Sequence, residues 1–283
     1  MRAGTIQVRG GTLETGWWGP DPADAPTLVL LHEGLGSVAL WRDVPERLAE
    51  ATGWGVFAYS RFGYGGSDGT ELPRPMTYMQ DEALVVLPQV LHAAGIRRAV
   101  VIGHSDGGSI AAVYAGSAGV SSPPVSWPGL PRPDTGGEDF QPTLLGLITI
   151  AAHFFVEDLN IASIQRIKAD YETGILRQRL ARYHRDVDTA FRGWNDAWLD
   201  PRFRDFDISG FLPRIQVPIL ALQGQDDPYG TDEQIRILEA NVQAPITTQL
   251  IAGARHSPHL EAMDPTLAAI TAFIAHLPRG FST

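Results

Sequence analysis

The chain has 283 residues, of which 44% are hydrophobic, with a formal net charge of −10 and no cysteine. The missing cysteines exclude disulfides, thiolate metal sites and cysteine nucleophiles, and the acidic balance argues against nucleic acid as a partner. We find neither a leader-like N-terminal segment nor an apolar run near the roughly 20 residues that span a bilayer, and therefore expect a soluble, cytoplasmic protein without a membrane span.

In chain order, short apolar runs alternate with amphipathic segments. Residues 5–18 predict a β-hairpin that turns at Gly10 and Gly11. Helices with apolar residues at helical spacing are predicted between the later runs, including one opened by a capping box at Thr231 and Gln234. This alternation is typical of βαβ units, so we predict an α/β fold with a mostly parallel, twisted sheet flanked by helices. The runs that predict buried strands are Thr27–His32, Gly55–Ser60, Arg98–Gly103, Leu144–Ala151, Val217–Gly224 and 247–253.

Two stretches interrupt this alternation. Residues 117–142 are rich in Pro, Gly and Ser and predict a long irregular loop, which either lies on the surface or takes part in the site. Residues 153–215 are charged and helical in pattern, and they predict a small helical cap above the carboxyl ends of the strands, where ligands bind in open α/β sheets. Residues 1–152 and 216–283 would then form one core domain.

The segment "VVIGHSDGGSIA" places Ser105 and Asp106 side by side between a predicted strand and a predicted helix. Either side chain could be a nucleophile. The glycines decide between them, because the pattern G-x-S-x-G centres on Ser105 and allows a sharp turn that points the serine out of the sheet. Asp106 then offers a backbone N–H at the helix start, where an oxyanion can be held. The alternative is a tight turn with a capping serine.

A nucleophilic serine needs a base, and the base needs an orienting carboxylate. His256 follows the last predicted strand, and Asp226 and Asp227 follow the strand before it. All three are therefore expected at the sheet edge that carries Ser105. His259 is a second candidate base, and paired aspartates are also common as plain turn residues. The chain order Ser, Asp, His agrees with the order that this architecture uses.

Four segments in this order, "LLHEGLGS", "SRFGYGGSD", "GHSDGG" and the pair "GQDDPYG" with "RHSPHLE", resemble the α/β-hydrolase family. The similarity extends over nearly the whole chain and is greatest to the branch of cap-bearing esterases and C–C-bond hydrolases. It implies the α/β-hydrolase fold with a helical cap insertion. It also implies that the acid is Asp227, in the pattern G-x-x-D, rather than Asp226, and that the base is His256 rather than His259.

The resemblance also implies a second oxyanion donor, the N–H of Gly34 in the run His32-Glu33-Gly34, beside that of Asp106. Glu33 replaces the usual glycine of the family, and a carboxylate that faces a developing oxyanion would oppose it. We expect Glu33 to turn away and to be neutralised, for example by Arg61. The alternative is that Glu33 binds a cationic or hydroxyl group of the substrate.

We therefore predict a serine hydrolase that cleaves a small, neutral, apolar or aromatic carboxylic ester through an acyl-enzyme, without a metal or organic cofactor. A C–C-bond hydrolase acting on a vinylogous diketone, or an enol-lactonase, would use the same three residues. An Asp-nucleophile enzyme and a catalytically silent binding protein of the same fold are less favoured. The partner is a small molecule, and a homodimer is left open. The residues predicted to line the substrate pocket are Glu33, His104, His153, Phe154, Trp194 and Trp198.

Overall fold

The computed structural model of the protein describes residues 1–117, 140 and 142–277. Its centre is one eight-stranded sheet with the strand order β1-β2-β4-β3-β5-β6-β7-β8. The first two strands form the predicted hairpin, and β2 also pairs antiparallel with β4. All the later pairings are parallel. The strands are β1 Arg2–Val8, β2 Gly11–Trp18, β3 Thr27–Leu31, β4 Gly55–Tyr59, β5 Arg98–His104, β6 Thr143–Ile150, β7 Ile219–Gly224 and β8 Ile246–Ile251.

Helices connect the parallel strands and cover both faces of the sheet. A π-helical turn, Glu82–Val86, joins α2 to α3. Single 3₁₀ turns lie at Val38–Trp41, Pro201–Asp205 and Ser209–Arg214. The described α-helices are α1 Val44–Thr52, α2 Tyr78–Asp81, α3 Leu87–Ala93, α4 Asp106–Ala115, α5 Asp158–Glu172, α6 Ile175–Leu180, α7 Val187–Leu199, α8 Glu233–Asn241, α9 Pro258–Glu261 and α10 Met263–His276. Across the described ranges, no helix combines the length and the apolarity that crossing a membrane requires.

The central strands are apolar along their whole length because both of their faces are covered. All five residues of β3 are buried, and so are all six of β7. Alternate residues of each strand enter two separate hydrophobic clusters, so that Val29 and Val101 belong to one and Leu30 and Ile102 to the other. The mostly parallel arrangement brings the carboxyl ends of six strands to one edge, which is where the candidate site lies.

The segment between β6 and β7 contains α5, α6, α7 and two 3₁₀ turns. We refer to it as the insertion. Its aromatic side chains are buried in the same hydrophobic cluster as sheet and α4 residues such as Val101 and Ile110. The insertion therefore shares its core with the sheet on one face. The buried aromatic residues are Phe154, Phe191, Trp194, Trp198, Phe203, Phe206 and Phe211.

One capping interaction differs from the sequence prediction, and another was not predicted. Gln234 does not form the predicted capping box with Thr231; its amide instead donates to Glu157 at 2.8 Å and accepts from Phe154 N–H at 2.7 Å. A capping box does form at the start of α5, between Glu157 and Asn160. The predicted loop at 117–142 lies outside the described residues except for Ser117, residue 140 and residue 142.

Candidate active site

Ser105 sits at the sharp turn between β5 and α4, with φ 52° and ψ −120°. A residue with a Cβ rarely adopts this conformation, and such strain is typical of functional sites. The flanking glycines are required by close packing. A Cβ on Gly103 would overlap the backbone of Gly107, and a Cβ on Gly107 would overlap the carbonyl of Leu31. The G-x-S-x-G pattern is therefore explained by backbone approach on both sides of the serine.

Ser105, His256 and Asp227 form a continuous chain of hydrogen bonds. Ser105 Oγ lies 3.0 Å from His256 Nε2, and His256 Nδ1 lies 2.9 Å from Asp227 Oδ1 and 3.0 Å from Oδ2. The Asp227 side chain is 1% exposed. Burial alone raises the pKa of Asp227, but the hydrogen bond and charge of His256 outweigh burial and lower the pKa below its ordinary value. The carboxylate is therefore ionised and able to stabilise an imidazolium.

The two alternative partners lie elsewhere. Asp226 is exposed. His259 is buried, and its ring lies 5.0 Å from the ring of Trp41 and 4.6 Å from that of His104. Burial lowers the pKa of His259 well below its ordinary value. The structure thus brings Ser105, Asp227 and His256 together and leaves Asp226 and His259 outside this hydrogen-bonded chain.

Arg61 sets the direction of the loop that follows β3. This arginine is 1% exposed, and its guanidinium donates to the carbonyls of His32 and Glu33. Because C=O and N–H point in opposite directions across a trans peptide, the N–H of Gly34 is directed away from Arg61. Gly34 lines the same cavity as Ser105. This role of Arg61 could not be predicted from the sequence, because nothing in its spacing marks which carbonyls it reaches.

Asp106 has two separate roles for its backbone and its side chain. It is the first residue of α4, so its N–H has no intrahelical acceptor and is free to bind an oxyanion. Its side chain is fully buried and accepts from Tyr78 Oη at 2.6 Å and from Trp198 Nε1 at 3.3 Å. Burial raises the pKa of Asp106. A carboxylate engaged in this way cannot reach a substrate, which leaves Ser105 as the candidate nucleophile of the pair.

The cavity above Ser105 has a volume of about 330 Å³. Its size suits a small ligand. A Cβ on Gly34 would overlap the indole nitrogen of Trp194, so the glycine allows this ring to close one wall. The remaining lining side chains comprise apolar groups from the insertion and polar groups near His256. They are Leu35, Asn160, Ile164, Trp198, Pro228, Tyr229, Arg255, Ser257 and Glu261.

The predicted pocket residues divide into two groups. Glu33, His153, Trp194 and Trp198 line the cavity. His104 and Phe154 are not among the residues that line it.

His104 is 2% exposed and its Nε2 lies 2.7 Å from the carbonyl oxygen of His256. Phe154, also 2% exposed, is packed into the hydrophobic core. His153 stacks on His256 with ring centroids 5.7 Å apart. Burial lowers the pKa of His153 to about 3, so that this ring is neutral beside the candidate base.

Glu33 does not turn away from the cavity as expected. Its side chain is 31% exposed and lines the cavity, and Oε2 lies 3.8 Å from His104 Nδ1. The guanidinium of Arg61 binds the backbone carbonyl of Glu33. It therefore orients the peptide without a hydrogen bond to the carboxylate. The alternative considered from the sequence, a contact between Glu33 and the substrate, is consistent with this geometry.

A family model described as the alpha/beta hydrolase family matches residues 28–269, and the chain belongs to this family. No curated protein sequence matches this chain. The eight-stranded sheet with its flanking helices is thus the α/β-hydrolase fold.

Several solved structures are similar over nearly the whole chain. VinJ has a TM-score of 0.65 at 23% identity and covers 98% of this chain and 99% of its own. The proline iminopeptidase of Mycobacterium smegmatis has a TM-score of 0.69 at 18% identity, with 97% and 98% covered. The enol-lactonase of Burkholderia xenovorans LB400 has a TM-score of 0.67 at 17% identity, with 96% and 100% covered. At these identities the similarity establishes the fold alone.

Proposed function

We propose that the protein is a serine hydrolase that cleaves a small carboxylic ester through an acyl-enzyme. The observation that carries this proposal is the hydrogen-bonded chain from Ser105 through His256 to the buried Asp227. A serine is a weak nucleophile until a neighbouring base accepts its proton, and this arrangement supplies such a base.

In the proposed reaction, His256 Nε2 takes the proton of Ser105 as Oγ attacks the ester carbonyl. Asp227 holds the imidazolium, and the N–H groups of Gly34 and Asp106 bind the oxyanion. Protonation of the leaving alcohol by His256 gives the acyl-enzyme. His256 then activates a water, which releases the carboxylic acid and regenerates Ser105. This sequence requires no metal or organic cofactor.

The cavity supports a small substrate with an apolar or aromatic part. A volume of about 330 Å³ is small for a ligand pocket, and Trp194, Trp198 and Ile164 supply apolar walls. Because these three residues belong to the insertion, we propose that it acts as a cap that determines specificity. The ring of Trp198 also packs against His153 at 5.5 Å, next to the candidate base.

The test combines labelling and turnover. A fluorophosphonate should label the wild-type protein but not the Ser105→Ala variant, and esters of graded acyl length should be hydrolysed. An enol-lactone and a vinylogous diketone complete the panel, because both could use the same residues. Preference for either of these over every ester would replace the ester proposal, and absence of both labelling and turnover would refute a serine hydrolase.

The paired aspartates supply a matched comparison. Asp227→Asn should lower kcat by about 10⁴-fold, since an amide no longer holds the required tautomer of His256. Asp226→Asn should leave kcat within about twofold, because that side chain is exposed. His256→Ala and Ser105→Ala should each cost as much as the Asp227 variant or more, and the losses should not add. The opposite ranking of the two aspartates would overturn this assignment of the acid.

A further inference from the structure

Glu33 immediately precedes Gly34, whose N–H is the proposed oxyanion donor. Glu33 also lines the same cavity as Ser105. Glu33 Oε2 lies where a Cβ on Gly36 would sit, so the carboxylate packs against Gly36 of its own loop. It is held in the cavity wall by its own loop, and 31% of the side chain remains accessible.

In the described part of the chain, no cationic side chain forms a hydrogen bond with the carboxylate of Glu33. Arg61 directs its donors to the carbonyls of His32 and Glu33. His104 Nε2 lies 2.7 Å from the His256 carbonyl, which can only accept, so Nε2 carries the hydrogen. His104 Nδ1 lies 3.8 Å from Glu33 Oε2, which is beyond hydrogen-bond distance.

The carboxylate is ionised at neutral pH. Burial alone raises the pKa of Glu33, but the effects of His104 and Arg61 outweigh it and lower the pKa below its ordinary value. A fixed negative charge beside an oxyanion hole opposes the negative charge that develops on the substrate. A positive group on the bound substrate would remove this opposition before the chemical step.

We propose that Glu33 binds a cationic group of the substrate, a protonated or quaternary amine placed close to the scissile ester. This inference rests on the proposed ester hydrolysis, and it replaces the neutral substrate expected from the sequence. The apolar walls at Trp194 and Ile164 would still hold the uncharged part of the molecule. The amine belongs either to the acyl part or to the alcohol, and each placement has its own test.

The experiment uses pairs of esters that differ only in charge. Phenylalanine methyl ester is compared with methyl 2-methyl-3-phenylpropanoate, in which a methyl group replaces the ammonium. Acetylcholine is compared with 3,3-dimethylbutyl acetate, which carries the cation or its neutral isostere in the alcohol. In the wild-type protein, kcat/KM for at least one charged ester should exceed that of its isostere by about tenfold or more.

Glu33→Gln should abolish this preference by lowering kcat/KM for the charged ester and leaving that of the neutral ester equal or higher. Glu50→Gln is the matched control, because it removes the same charge from an exposed position on α1. The preference should persist in that variant. A second readout is independent of turnover: 2-phenylethylamine should slow fluorophosphonate labelling of the wild-type protein but not of Glu33→Gln.

Equal turnover within both pairs, together with unchanged labelling in the presence of the amine, would overturn the inference. So would a preference that survives in Glu33→Gln. Either result would indicate that the contact with His104 already compensates the carboxylate, while the proposed ester hydrolysis stands. Absence of turnover for all four esters together with absence of fluorophosphonate labelling would refute the proposed function itself.

Discussion

Arg61 binds two successive carbonyls of the loop that carries Gly34, and its planar guanidinium is suited to this because it offers several donors in one plane. Its position is further fixed by the ring of Tyr64, whose centroid lies 5.1 Å from the guanidinium carbon. Arg61 touches no reacting atom. It is a positioning residue, and its contribution is the direction of the Gly34 N–H.

We predict that Arg61→Lys lowers kcat by about 10- to 100-fold with a smaller change in KM. A lysine keeps the charge but cannot hold both carbonyls, and loss of one oxyanion donor costs 10²- to 10³-fold in kcat in comparable sites. The measurement is kcat per active site, with the sites counted by fluorophosphonate titration so that misfolded protein is excluded.

Arg74→Lys is the control for this variant. Arg74 is also buried, packs on the same Tyr64 ring at 4.8 Å and donates to the carbonyl of Phe62. It should lose stability without the loss of kcat. If both lysine variants lose kcat equally, Arg61 acts through general packing and the assigned role is wrong.

At the scale of elements, α7 is linked to the turn that carries the nucleophile. Trp198 donates its indole N–H to Asp106, which α4 presents directly after Ser105. Asp106 is fully buried, and so a lost donor would leave a carboxylate that water cannot reach. The insertion therefore helps to stabilise the residue that also supplies an oxyanion donor.

We predict that Trp198→Phe lowers the free energy of unfolding by about 1–3 kcal/mol, because a hydrogen bond to a buried charged group is lost while most ring packing is kept. A double-mutant cycle with Asp106→Asn, measured by urea unfolding, should give a coupling energy above about 0.5 kcal/mol. Trp194→Phe provides a comparison within the same helix. Additive losses in the cycle would show that the two side chains are not energetically linked.

The six parallel strands were predictable from sequence to within two residues, since runs such as "LVLL" in β3 are apolar throughout and can only be buried. Ser105, His256 and Asp227 were found because each follows a strand that ends at the same edge. The hydrogen bond from Tyr78 to Asp106 was not predicted, because no spacing relates a tyrosine of α2 to a carboxylate 28 positions later. The contact of Glu33 with His104 was not predicted from the sequence, because it depends on Arg61 binding carbonyls instead of the carboxylate.

At the scale of the whole molecule, several buried histidines influence how stability varies with pH. Burial lowers the pKa of His153 to about 3 and lowers those of His32, His184 and His259 as well. Below about pH 6.5 these histidines bind protons in the unfolded chain but stay neutral in the folded protein. Folding is therefore disfavoured as the pH falls. Burial raises the pKa of Glu82 and Asp106, which works in the opposite direction at lower pH.

We predict that the free energy of unfolding changes little from these histidines above pH 7 and falls between pH 6.5 and 5. Each histidine that stays neutral in the folded protein lowers the free energy of unfolding by about 1.4 kcal/mol for each pH unit of acidification in this range. Urea unfolding at several pH values measures the slope, and His259→Phe should reduce it by about one such contribution. A slope that is unchanged in this variant, or stability that rises toward pH 5, would contradict the prediction.

The contact between Trp198 and Asp106 also has a consequence for how such proteins exchange parts during evolution or engineering. A chimera that received the insertion of another hydrolase would keep Asp106 but would keep an indole donor only if the incoming segment placed a tryptophan at the same point. Otherwise Tyr78 alone would be left to satisfy the carboxylate. The insertion of this protein is therefore exchangeable only when the incoming segment brings its own partner for Asp106.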